Sequence, residues 1–161
     1  MKKFWIAGVA FLLVCAFGFW LYRISIPDET RIRWVLEAMA EGFNESSARR
    51  TVDGLADDFV EDSTGANKSE IKGFLFQLYL TERDARTKEF RYRAELSEIE
   101  IQLPPGERRA SARLFVDVLR LKADGWGKVW KARVEAALVK ERGGWKVAEG
   151  RFLTLEGKRP F

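Results

Sequence analysis

Hydrophobic positions recur along most of the chain with one of two periods, and the change between them divides it. From Asp28 onward, Ile32, Val35, Leu36, Met39 and Phe43 fall on one face of a helix, with Arg31, Arg33, Glu37 and Glu41 largely elsewhere. Pro27 blocks any helix arriving from upstream, and Asp28 is suited to cap the new one. Gly42 and Asn44 weaken its end, and Ser46-Ser47 offers a fresh cap. Val52, Leu55, Ala56 and Phe59 then predict a short second helix that turns Asp57, Asp58, Glu61 and Asp62 outward. Thr64-Gly65-Ala66 reads as a loop, and Asn67 starts a third helix with Glu70 in capping-box position. Ile71, Phe74, Leu75 and Leu78 are its expected buried face. Phe76 and Leu80 lie off that stripe, which implies cover on more than one side.

Beyond Glu89 the period falls from roughly 3.6 residues to roughly 2. Phe90, Tyr92, Ala94 and Leu96 share one parity, while Ile99, Ile101 and Leu103 share the other. A strand with a one-residue shift at Ser97-Glu98 predicts a β-bulge, which bends a sheet. Pro104-Pro105-Gly106 turns the chain. Ala110, Ala112, Leu114, Val116 and Val118 then alternate with Ser111, Arg113, Phe115 and Asp117. Asp124-Gly125 is a hairpin turn, followed by Trp130, Ala132, Val134, Ala136 and Leu138 opposite Lys131, Arg133 and Glu135. Gly143-Gly144 makes a further turn into a last strand through Trp145 and Val147, whose parity breaks near Gly150.

Helices first and hairpin-linked strands after predict an α+β domain. Its N-terminal helices pack on a curved antiparallel sheet of four or more strands, cone-shaped, preceded by one transmembrane helix. The divisions are residues 1–23 for a cytoplasmic tip and anchor, 24–28 for a linker, 29–156 for the domain and 157–161 for a tail.

The order of elements resembles the nuclear transport factor 2-like superfamily, which includes ketosteroid isomerase and SnoaL-like cyclases. The matching stretches are Ile32 to Phe43, then Leu55-Ala56-Asp57-Asp58-Phe59 as a second-helix ending, and Gly143-Gly144-Trp145-Lys146-Val147 with Phe152 as a final hairpin. The resemblance covers roughly residues 29–156 and implies a cone of helices closing a bent sheet. It rests on elements and turns, so it speaks for fold more than for activity. Enzymes of this superfamily place acids, Tyr or His on the inner wall of the cone.

Phe4 to Tyr22 carries no charged or strongly polar side chain. As a helix it would reach roughly 28 Å, close to the hydrocarbon thickness of a bilayer. Trp5, Trp20 and Tyr22 sit near its ends, where amphipathic rings prefer the interface. Lys2 and Lys3 precede it and Arg23 alone follows, which predicts a cytoplasmic N-terminus and an extracytoplasmic domain, periplasmic in a Gram-negative cell. A cleaved signal is the rival reading. Ala16-Phe17-Gly18 is its nearest cleavage site, but the apolar run continues through Phe19-Trp20-Leu21-Tyr22 and favours an uncleaved anchor.

Composition removes several chemistries. The 161 residues include 28 Lys and Arg against 24 Asp and Glu. Lys2, Lys3 and Arg23 supply most of the surplus, so the domain has no basic footprint for nucleic acid. The absence of His excludes Ser-His and Cys-His nucleophiles and an imidazole base. Cys15, the one cysteine, lies in the apolar run and leaves the domain without a disulfide. No metal or other cofactor is expected. The acid run Asp57, Asp58, Glu61 and Asp62 lacks the ligand spacing and central Gly of a calcium loop.

The candidate ligand-binding residues are Trp34, Tyr79, Tyr92, Asp117 and Glu149. Asp117 shares parity with Phe115 and Leu119, and Glu149 continues the parity of Trp145 and Val147. Either carboxylate, if buried, could act as a base, with Tyr79 or Tyr92 as a phenol donor to an oxyanion. Trp126, at a hairpin tip, suits contact with a partner or the bilayer surface. The expectation is a membrane-anchored binding or scaffold module presenting a pocket or sheet face to an envelope partner or small apolar ligand. The alternative is an isomerase, cyclase or hydratase using Asp117 or Glu149 with Tyr79 or Tyr92. Homodimerisation through the outer sheet face is expected to be weak, because Lys131, Arg133 and Glu135 charge it.

Overall fold

Pro27, with φ −57° and ψ 144°, sets the chain at the N-cap of helix α1 (Asp28–Asn44), where no side chain caps. Asp28 therefore enters the first turn instead of capping it, and with Glu29 it complements the positive end of the helix dipole. The computed structural model describes residues 26–160. The proposed membrane segment lies outside the described residues, and none of the helices described is long and apolar enough to cross a membrane.

Helix α1 buries Ile32, Leu36 and Phe43 and is followed by the short helix α2 (Ala48–Asp53). The two approach closely at Gly42, where an added Cβ would stand 2.6 Å from Thr51 N. A larger residue there would force the helices apart. Helix α3 (Lys68–Thr81) begins as the sequence predicts: Asn67 Oδ1 accepts from Ser69 N and Glu70 N, and Glu70 Oε2 accepts from Asn67 N. Its buried face is Leu75, Leu78 and Tyr79, so Phe74 is out and Tyr79 is in. Phe76 and Leu80 are 62% and 57% exposed, so the expected second layer of cover is not found among the described residues.

Residues 55–61 depart from expectation. Leu55 to Glu61 is a strand, β1, and not the end of the second helix. Gly54 stops α2, and β1 then lies parallel to the last strand, with Val147 N donating to Gly54 O at 2.8 Å and Asp62 N to Gly150 O at 2.9 Å. The spacing of Leu55 and Phe59 fits helix and strand equally, and pairing to a waiting sheet edge decides for the strand. Glu61, expected outward, is consequently buried.

The remaining strands are β2 (Tyr92–Gln102), β3 (Arg109–Lys122), β4 (Gly125–Glu141) and β5 (Gly144–Gly157). Their order with β1 is β1-β5-β4-β3-β2. The sheet is thus five-stranded and mixed, antiparallel except for β1, where an antiparallel sheet was expected. The inner face carries Ala110, Ala112, Leu114 and Val118 from β3 and Trp130, Ala132, Val134, Ala136 and Leu138 from β4, all buried. The bulge in β2 falls where the parity shift predicts it, with Glu98 at φ 50° and the register breaking between Ser97 and Glu100. The helices cover the inner face and form one core with it.

Candidate functional site

The hollow of the bent sheet is filled by side chains. Phe43, Tyr79, Phe90 and Tyr92, from α1, α3, the segment before β2, and β2, form a cluster with centroids 4.9–5.9 Å apart, the first three edge-to-face and Tyr92 tilted against Phe90. Tyr79 is 3% exposed, and its hydroxyl lies 3.2 Å from Thr51 Oγ1. Burial pushes the Tyr79 phenol above its ordinary pKa, and the Thr51 bond only partly offsets this. Tyr92 is 5% exposed, with the Arg120 guanidinium 5.4 Å over its ring. Arg120 also reaches Glu82 at 3.5 Å.

Asp117 and Glu149 lie on the other side of the sheet. Asp117 occupies the outward parity of β3, between Val116 and Val118, and its Oδ2 takes an ion pair from Lys128 at 3.0 Å. The same bond holds the exposed Lys128 ammonium above its ordinary pKa. Asp117 Oδ1 is buried without a hydrogen-bond partner among the described residues. Glu149 is turned outward by a second bulge: Val147 pairs with Leu138 but Glu149 with Ala137, leaving Ala148 as the extra residue. The parity break therefore comes before Glu149, not at Gly150.

Glu149 lies in an open outer groove of about 400 Å³ crossed by alternating charges. Glu100, Arg113, Glu135 and Arg151 stand in one row across β2, β3, β4 and β5. Asp62 lies 3.7 Å beyond Arg151, and Glu135 takes Arg133 at 3.4 Å. Cross-strand charges of opposite sign satisfy one another there.

Trp34 is half exposed, on the face of α1 opposite Ile32 and Leu36. The five candidates therefore divide three ways. The tyrosines are inside, the acids are outside, and Trp34 faces away from both.

The buried acid is one that sequence reasoning missed. Glu61 is 2% exposed, and its Oε2 accepts from Thr64 N at 2.7 Å and Thr64 Oγ1 at 2.5 Å. Burial raises its pKa, but the bonds from Thr64 and Ser63 outweigh this and hold the carboxyl below its usual range. Glu61 therefore acts as an ionised staple of the loop leading into α3. Among the described residues, no group of His, Cys, Asp and Glu is placed to hold a metal ion.

A further groove, of about 700 Å³, opens at the end of α1. Phe90, Tyr92 and Trp126 line it, together with the cations Arg83, Lys88 and Arg93 and the acids Glu45 and Glu89. Trp126 is 45% exposed, at the β3–β4 turn. Arg83, Lys88 and Glu89 come from the charged run after α3, a stretch whose sequence shows only that the helix has ended, and Arg93 comes from β2.

No protein-family model matches the chain, and no curated protein matches it in sequence. Solved structures do match. A nuclear transport factor 2-like protein with a cystatin-like fold from Novosphingobium aromaticivorans superposes with TM-score 0.66 at 13% identity, over 89% of this chain and 90% of that one. A provisional scytalone dehydratase from the same organism gives 0.64 at 16% identity, over 80% and 84%. A protein of unknown function from Mycobacterium tuberculosis gives 0.66 at 14%, over 79% and 76%. The described domain has the nuclear transport factor 2-like, or cystatin-like, fold. At these identities the likeness extends to architecture and not to activity.

Proposed function

We propose that this chain is a membrane-anchored binding module: Phe4 to Tyr22 crosses the bilayer, and the domain, outside the cytoplasm, presents a surface to an envelope partner or small apolar ligand. The observation that carries the non-catalytic part is the separation of acids from phenols. A base and an oxyanion donor must converge on one reacting atom. Here Asp117 and Glu149 stand outside the sheet, while Tyr79 and Tyr92 are packed within it. The groove lined by Trp126 is the better binding surface, since it sets one half-exposed indole among charged groups of both signs. Tethering would raise the domain's effective concentration for partners at the same membrane.

Two experiments test this reading. Full-length protein should stay with membranes through alkaline carbonate extraction; release into the supernatant would remove the anchor. Purified full chain should leave ketosteroid and epoxide substrates unchanged. Turnover abolished by Asp117→Asn or Glu149→Gln would establish the enzyme alternative instead.

A further inference from the structure

The domain has two ends, and both α1 and β4 run between them. At one end Lys140, next to last in β4, bonds Asp28, the first residue of α1, with Nζ 2.6 Å from Oδ2. The β2–β3 loop joins them there: Lys140 N donates to Arg108 O, and Arg108 Nη2 donates to Lys140 O at 2.8 Å. At the other end the last residue of α1, Asn44, lines the same groove as Trp126, second in β4. The 17 residues of α1 put these ends about 25 Å apart along the helix.

We propose that the Asp28 end rests on the lipid headgroups and that the Trp126 groove faces away from the membrane. This rests on the anchor reading given above. Under that reading the apolar stretch ends at Tyr22, and the chain from there to Asp28 spans at most about 20 Å when fully extended. The headgroup layer takes up roughly 5–8 Å of that reach. Pro27 then leads directly into α1, whose first residue Asp28 is clamped to the sheet by Lys140, while Arg31 of the same helix stands 3.7 Å from that carboxylate. The tether thus enters a fixed point of a rigid body, and the surface around that point meets the bilayer. That surface comprises the start of α1, the β2–β3 loop and the β4–β5 turn at Arg142. Its cations Arg31, Arg108, Arg109, Lys140 and Arg142 are nearly matched by Asp28, Glu29, Glu107 and Glu141. Attachment therefore comes from the tether and not from charge, and salt should not release it. Trp126 is held clear of lipid and left open to a partner in the surrounding compartment.

The test uses the full chain with Cys15→Ala, reconstituted in phosphatidylcholine–phosphatidylglycerol vesicles. A fluorophore is attached at Arg142→Cys or at Ala123→Cys, both in exposed hairpin turns. Lipids carrying a nitroxide on the headgroup should remove most of the emission from the Arg142 position and little from Ala123, at low and high salt alike. Equal quenching at both, or stronger quenching at Ala123, would overturn the orientation while leaving the anchor intact. Failure of the protein to float with vesicles in carbonate would instead remove the anchor, and the orientation with it.

Discussion

Asn44 completes the open edge of the sheet by pairing its side-chain amide with both backbone polar groups of Ala94. Its Nδ2 donates to Ala94 O at 2.9 Å, and its Oδ1 accepts from Ala94 N at 2.7 Å. Ala94 lies in β2, which has β3 on one side and, among the described residues, no strand on the other. An unpaired strand edge invites pairing with another chain. Arg33 extends the same cover by donating to Ile99 O at 3.0 Å.

Replacing Asn44 by Ala should therefore do two things. It removes two partly buried hydrogen bonds, with an expected loss of about 1–3 kcal/mol in urea denaturation. It also frees the β2 edge, so light scattering should show self-association that the parent lacks at equal concentration. Asn44→Asp keeps an acceptor for Ala94 N but sets a carboxylate against Ala94 O, so it should be destabilised as well.

The bond between Lys140 and Asp28 predicts a pH dependence. The hydrogen bond from Lys140 is the largest influence on the Asp28 carboxyl and, against some burial, holds it below its usual pKa. A carboxylate whose folded pKa is depressed stabilises the fold above its unfolded pKa. That contribution is lost as the pH falls through the folded value. Asp28→Asn should cost about 1 kcal/mol or less at neutral pH, since both groups are partly exposed, and less at an acid pH below the folded value. Equal losses at both pH values in chemical denaturation would show that the charge is not involved.

The start of α3 offers a separate measurement. Asn67 and Glu70 satisfy each other's backbone N–H groups, so Asn67→Ala removes the cap and leaves the Ser69 and Glu70 donors to water. The expected loss is about 1 kcal/mol, with Asn67→Gly costing only a few tenths. Urea midpoints of the three proteins check the order.

These elements differ in how plainly the sequence announces them, for physical reasons. The cap at Asn67 and the bulge at Ser97-Glu98 depend on local residues and could be read directly. So could β3 and β4, because one face of each strand is buried and the alternation has to record it. Strand β1 could not, since its partner is most of the chain away and Leu55 and Phe59 suit either period. Glu149 turns on which residue of β5 is extra, and nothing in Trp145-Lys146-Val147-Ala148 marks Ala148 as the bulge. Tyr79 was legible both as a phenol donor and as a core aromatic whose hydroxyl reaches water; that the hydroxyl is buried against Thr51 depends on α2, which the helical stripe of α3 does not report. Arg83, Lys88 and Glu89 of the Trp126 groove are loop residues with no periodicity to report their position.

Tyr79 allows the packing and phenol roles to be separated. Its ring contacts Phe43 and Phe90, while its hydroxyl meets the Thr51 hydroxyl, which also donates to Ser47 O at 2.9 Å. Tyr79→Phe keeps the ring and leaves Thr51 with a partner, so the loss should be at the low end for a hydrogen bond, about 0.5 kcal/mol. Tyr79→Ala opens a cavity in the aromatic cluster and should cost about 3–5 kcal/mol, a large share of a small domain's stability. Burial raises the Tyr79 pKa, so its neutral form is favoured in the fold. The resulting stability is present below the unfolded value near about 10 and fades as the pH rises through the folded one. The parent should therefore lose stability in strong alkali more steeply than Tyr79→Phe. Parallel alkaline curves for the two proteins would show that the phenol does not ionise on unfolding, and the buried position given to its hydroxyl would be wrong.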